Sequence, residues 1–315
     1  KLNLTEMKRF TFLVLMFAAL SLHAQKQAKP NLNKALKLYQ EGKLDEAKKM
    51  IDDASTYEKL KDDGKTWYYR GLIYAALDTT SNEAYKSLEP EPLKVALESF
   101  AKADAMAGKS EYFVLGKDGV IPVTKTQQIQ GLANHYLNKG ATYFQEDSLE
   151  DALVAFEKTQ VIYPSDTTAF FYAGYVANGL EQWDKALTNF EEYYKKGGKS
   201  PDAYSLIYNI YAGPKENKEK ALEVVREARQ KFPDNTEFPK YEIGLLIDLN
   251  KVDEAKSGLE EAVVREPDNK IFHFFLGYVN SRLEKWDDAT KNFEAALKID
   301  PNYFEAQYYL AQVYL

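Results

Sequence analysis

The residues able to do chemistry are few and widely separated. The chain has 315 residues and no cysteine, which excludes thiolate nucleophiles, disulfides and cysteine-held zinc. Of its three histidines, His23 falls in an apolar amino-terminal stretch, and His135 and His273 have no second ligand at a metal-binding spacing. Both of these read as packing residues on helix faces. Gly198, Lys199 and Ser200 have the composition of the end of a phosphate-binding loop. The first glycine of that motif would fall on Tyr193, however, and no strand precedes it, so the string reads as a helix stop. The acidic pairs Asp287–Asp288 and Glu260–Glu261 occupy helix starts or solvated faces, where charge complements the helix dipole or aids solubility. No set of residues converges on an active site. The sequence therefore predicts no catalytic residue, no metal, no cofactor and no enzyme.

The elements that carry these residues repeat. Alanine, a bulky apolar residue four positions on and a proline eight beyond that recur as Ala152, Phe156, Pro164; Ala221, Val225, Pro233; Ala255, Leu259, Pro267; and Ala289, Phe293, Pro301. Ala186 and Phe190 fill the second slot, and the alanines are spaced by 34, 35, 34 and 34 residues. Such a period signals stacked supersecondary units. Upstream of the alanines lies a first helix with a small residue between two larger ones, as in Trp67, Gly71, Tyr74; Tyr136, Gly140, Tyr143; and Phe170, Gly174, Ala177. Residues seven apart share a helix face, and the small one lets two backbones approach. Proline ends the second helix.

In these motifs the chain resembles the tetratricopeptide repeat (TPR) family over roughly residues 28 to 315. Seven repeats and the first helix of an eighth are expected. The repeats run from Ala28 to Thr56, Gly64 to Ala107, Ala133 to Ser165, Thr167 to Ser200, Pro201 to Asp234, Thr236 to Asn269 and Lys270 to Tyr303, with the eighth starting at Phe304. The family's tryptophan slot then holds Ser205, Pro239, His273 and Gln307 in the last four. The resemblance implies an all-α fold, a right-handed superhelical solenoid of antiparallel helix pairs.

Lys8 and Arg9 precede an apolar run from Phe10 to Leu22, too short to span a bilayer, with Ala24 at a cleavage position. Residues 1–24 are expected to be an export signal starting at Met7, which places the repeats in the periplasm or outside the cell. An uncleaved anchor is the alternative. Removing Lys1, Lys8, Arg9 and Glu6 from 41 basic and 48 acidic residues leaves 38 and 47, a net charge of −9. Nucleic acid would be repelled by that field. The densest basic cluster, Lys195, Lys196 and Lys199, sits in a glycine turn.

Two segments break the period. Residues 25–107 form an amino-terminal repeat pair with an inserted loop near 78–91, and residues 108–132 form an irregular insertion that leads into an extended helix. The regular array of 133–315 stops inside its last repeat. That stop predicts a fragment of a longer chain, or an end that docks onto another molecule.

In the family, the fifth and ninth positions of each first helix face a ligand in the concave groove. By that resemblance the groove residues are Phe171 and Tyr175, Leu206 and Ile210, Lys240 and Gly244, Phe274 and Tyr278, and Tyr308 and Gln312. Leu137, Ala141 and Ile207 stand where the family's carboxylate-clamp members need polar side chains, so an apolar groove for a peptide is expected instead. Either this stripe is a groove, or winding of the array buries it as core. The reading is a non-catalytic exported scaffold that binds a protein or peptide. The alternatives are the adaptor arm of a larger envelope-assembly machine or enzyme whose active part lies beyond Leu315, and a self-associating array that uses its exposed carboxyl-terminal helix.

Overall fold

The computed structural model describes residues 29–108, 111–116 and 119–314. The expected leader, with its start at Met7 and cleavage after Ala24, lies outside the described residues. The chain divides into two compact units between Leu132 and Ala133. The first holds α1 (Leu32–Gln40), α2 (Leu44–Thr56), α3 (Gly64–Thr79), α4 (Glu83–Lys86), α5 (Pro92–Ala107), β1 (Phe113–Leu115), β2 (Pro122–Thr124) and the opening turns of α6 (Lys125–Gln145). The second holds the rest of α6, then α7 (Leu149–Ile162), α8 (Thr167–Gly179), α9 (Trp183–Lys195), α10 (Pro201–Ala212) and α11 (Lys218–Lys231). It continues with α12 (Glu237–Asp248), α13 (Val252–Arg265), α14 (Lys270–Arg282), α15 (Trp286–Ile299) and α16 (Phe304–Val313). The fold is an all-α helical-repeat solenoid, with one small hairpin among the described residues.

Local chemistry sets the helix boundaries. Four first helices begin at polar caps of one kind: Asp63, Asp166, Ser200 and Asn269 each accept a hydrogen bond from the backbone N–H two residues on, at 2.8 to 3.2 Å. Second helices begin with acidic residues, among them Glu150, Asp151, Asp253, Glu254, Asp287 and Asp288, which complement the exposed N–H groups of the first turn. In six pairs the turn between the helices carries one residue in the left-handed region, Gly42, Asp147, Glu181, Glu216, Asn250 or Glu284; the longer connection from α3 to α5 is the exception. The last five again step by 34 or 35.

The pairs close on one repeated contact. A Cβ built on Gly71 would lie 2.4 Å from the ring of Phe100, and one on Gly140, Gly174 or Gly277 would lie 2.7 Å from Phe156, Phe190 or Phe293. Each phenylalanine therefore packs directly on bare first-helix backbone, and each is almost fully buried. Two pairs place the bulk on the opposite helix, with Tyr208 and Ile243 in the small position and Val225 and Leu259 in the phenylalanine position.

The two departures from the period have structure of their own. The segment after α3 contains the single helical turn α4, capped by Asn82, and its Tyr85 and Leu88 pack against the first unit's core. In the segment expected to be irregular, residues 113–115 pair antiparallel with 122–124. Val114 is buried between exposed neighbours, a period-two pattern too short to stand out beside Gly116 and Gly119.

Two outcomes follow for thermal or denaturant unfolding. Gly174→Ala is expected to cost about 1–2 kcal/mol, because overpacking against Phe190 outweighs the gain in helix propensity. Gly244→Ala, in open space on α12, is expected to gain up to about 1 kcal/mol.

Candidate functional site: the first-helix face of residues 133–315

The candidate groove residues do not share one environment. Tyr175 on α8 is 44% exposed and meets the ring of Phe144 on α6 edge-on at 5.7 Å. Tyr308 on α16 is 52% exposed and stacks on Phe304. Tyr278 is half-buried, and its hydroxyl accepts from Arg282, whose other nitrogen donates to Asn250 at 2.9 Å. Lys240 pairs with Glu237 at 2.8 Å, while Gly244 and Gln312 are exposed. Phe171 is half-buried, its ring 5.5 Å from Tyr193 and 6.2 Å from Phe190, and Leu206 is half-buried against the same core.

Two residues are core. Phe274, 8% exposed, is enclosed by the rings of Tyr303 and Tyr309 from the next pair, at 5.4 and 5.7 Å. Ile210 is 1% exposed because the expected register of α10 is one residue off. Buried Ala203 and Tyr204 match Ala169 and Phe170 at a spacing of 34, so Tyr204, rather than Ser205, fills the tryptophan slot. The extra residue of this repeat lies in the turn after Gly213 and Pro214, where proline ends the helix early. Counting back from Ala221 across that turn therefore slips by one, which rotates assignments on the helix by about 100°. The ninth position is Asn209, which is exposed.

Other aromatic residues also belong to this face. Tyr172, 43% exposed, stacks on Phe156 at 5.6 Å, and Tyr208 lies flat on Tyr241 at 4.4 Å. Their signal was aromatic type alone, which core positions share.

The same irregular repeat opens a cleft of 570 Å³ between α9, α10 and α11, floored by Leu187, Tyr204, Ile207 and Val224 and walled by Tyr194 and Tyr211. The Tyr194 and Tyr204 rings are 4.4 Å apart. Tyr204 donates to Glu227 at 2.6 Å, and Lys231 donates to the Tyr204 hydroxyl at 2.7 Å. Burial pushes both tyrosine hydroxyls up, so they remain protonated, whereas the Lys231 and then Tyr204 hydrogen bonds hold the Glu227 carboxyl below the usual carboxylate range. The cleft offers aromatic surface and hydrogen-bonding groups.

Among the described residues, the histidines and the Gly198–Ser200 turn form no shared site. His135 is exposed with its ring edge-on to Tyr136, and His273 Nε2 is 2.8 Å from the Pro267 carbonyl oxygen. The backbone N–H groups of Lys199 and Ser200, which a phosphate would need, both donate to the Tyr193 hydroxyl, at 3.0 and 2.8 Å. Lys195 pairs with Glu191 and Glu192, and Lys196 lies over the Phe170 ring. Among the described residues, no cluster of acidic and histidine side chains could hold a metal, and no helix is long and apolar enough to cross a membrane.

A family model described as TPR repeat matches residues 281–315. No curated protein matches the chain. Among solved structures, the chain is similar to YrrB, described as a TPR protein with an unusual peptide-binding site. That match has 22% identity over 58% of this chain and 95% of YrrB, with a TM-score of 0.48. It is also similar to MamA, at 15% identity over 54% of this chain and 92% of that protein, with a TM-score of 0.46. A third is TTC0263, a thermophilic TPR protein in Thermus thermophilus, at 19% identity over 57% of this chain and 98% of that one, with a TM-score of 0.35.

Glu227→Gln is expected to cost under about 1 kcal/mol at pH 7, since the group is half exposed. Because its pKa is lowered by folding, the contribution is present above the ordinary glutamate value of about 4.3 and lost as pH falls through the folded value. Unfolding curves of the two proteins should therefore converge in acid.

Proposed function

We propose that this chain is an exported tetratricopeptide-repeat scaffold, without catalysis of its own, that holds a protein or peptide against the first-helix face of residues 133–315. Export rests on the basic and apolar run from Lys8 to Ala24. One observation carries the binding reading: Tyr175 and Tyr172 stand nearly half exposed on α8, supported by Phe144 and Phe156. Aromatic rings held in place by rings beneath them lose little entropy when a partner covers them. Each contributes about 1.5–3 kcal/mol when fully buried. The exposed positions along the face, Asn209, Gly244 and Gln312, supply polar and open sites between anchors at Tyr175, Tyr278 and Tyr308.

The test is retention of an envelope-extract partner by the full chain, by a Tyr172→Ser and Tyr175→Ser double variant, and by Phe171→Ser. The double variant should keep its stability within about 0.5 kcal/mol per site and lose retention by at least about tenfold. Phe171→Ser should lower stability by about 2 kcal/mol, since its ring fills space against Phe190 and Tyr193. Equal retention by the folded double variant would refute the assignment.

A further inference from the structure

We propose that the outer edge of β1, in the first unit, is a docking site for an extended apolar segment of a partner polypeptide. The hairpin belongs to the first unit and shares no residue with the first-helix face of residues 133–315. The hairpin is firmly seated: Tyr112 stacks on buried Tyr68 at 5.4 Å, Val114 is buried, Lys125 pairs with Asp104 at 2.8 Å, and Glu111 accepts from the Thr126 N–H.

Its hydrogen-bond register fixes which groups point outward. Gly116 N–H donates to the Ile121 carbonyl and Lys125 N–H to the Tyr112 carbonyl, each at 2.7 Å. Bonded pairs alternate along an antiparallel ladder, so Val114 bonds inward to Val123, and Phe113 and Leu115 direct their N–H and C=O groups away from β2. Among the described residues the sheet has two strands, and neither lies against that edge of β1.

The two edges are treated differently. On β2 the outward positions are Pro122, which has no N–H, and Thr124, whose N–H donates to Gln127 Oε1 at 2.9 Å while Gln127 N–H donates to Thr124 Oγ1 at 3.2 Å. That edge has no donor left. Proline and charge are ordinary devices for blunting an exposed edge, and β1 has neither. Phe113 and Leu115 are 56% and 47% exposed, and Val120 and Ile121 at the tip are exposed too. Outward donors and acceptors in a row are complementary to an extended backbone. The uncharged side chains beside them favour apolar residues at alternate positions of the incoming strand.

The probe is a fluorescein-labelled, lysine-flanked peptide of alternating valine and threonine, compared with a twin N-methylated at alternate residues and titrated onto the full chain. Binding should slow amide exchange at Phe113 and Leu115 at least tenfold. Leu115→Pro, which removes an outward donor that the hairpin does not use, and N-methylation should each weaken binding at least tenfold. Leu115→Thr, which keeps the donor, should bind within threefold of the parent. Equal binding by Leu115→Pro, unchanged exchange at 113 and 115, or no saturation at about 1 mM peptide would overturn the proposal. So would a wild-type dimer that Leu115→Pro converts to monomer without any peptide effect, which would assign the edge to a second copy of the chain.

Discussion

The structure depends on the contact of a phenylalanine ring with the bare backbone of a glycine on the paired helix. At Gly71, Gly140, Gly174 and Gly277 no side chain fits, and the ring that fills the space is the one supplied by the second helix of the same pair. The contact fixes how closely and at what rotation the two helices meet, and this decides which first-helix residues remain outside. Tyr175 is exposed because Gly174, one residue before it, faces inward against Phe190. Where the bulk changes sides, at Tyr208, an aromatic cleft lies beside the pair, lined from α9, α10 and α11.

Between successive pairs, polar contacts supplement the apolar ones. Arg70 on α3 reaches back to Asp52 on α2 at 3.1 Å and donates to Ser99 on α5, with its guanidinium over Tyr74. At the equivalent place in its own repeat, Glu242 on α12 reaches back with the opposite sign, buried between Arg226 and Arg229 of α11. A buried charge left without its partner is costly, so losing either arginine would penalise Glu242.

The sequence makes the helical pairing legible because steric demand repeats: small residues, alanines and phenylalanines recur at a fixed period. It is less informative about the binding face, because tyrosine and phenylalanine serve both core and surface. Phe274 has the composition of a groove residue and is covered by Tyr303 and Tyr309, which only the packing of the following pair decides. Ile210 is displaced from the groove by a single residue in the Gly213–Pro214 turn, since a helix turns by about 100° per residue and has no tolerance for such a slip. The hairpin is hard to see in the sequence because two three-residue strands between glycines carry almost no periodic signal.

Two surfaces are proposed to bind polypeptides, one built from side chains on helices and one from backbone on a strand edge. The first is the central claim, and cross-linking tests it most directly. With p-benzoylphenylalanine placed at Tyr175, and in a separate protein at Val161, an exposed residue of the second helix α7, irradiation in an envelope extract should yield a polypeptide adduct from position 175 and none from 161. Adducts from 161 alone, or from neither position, would contradict the account.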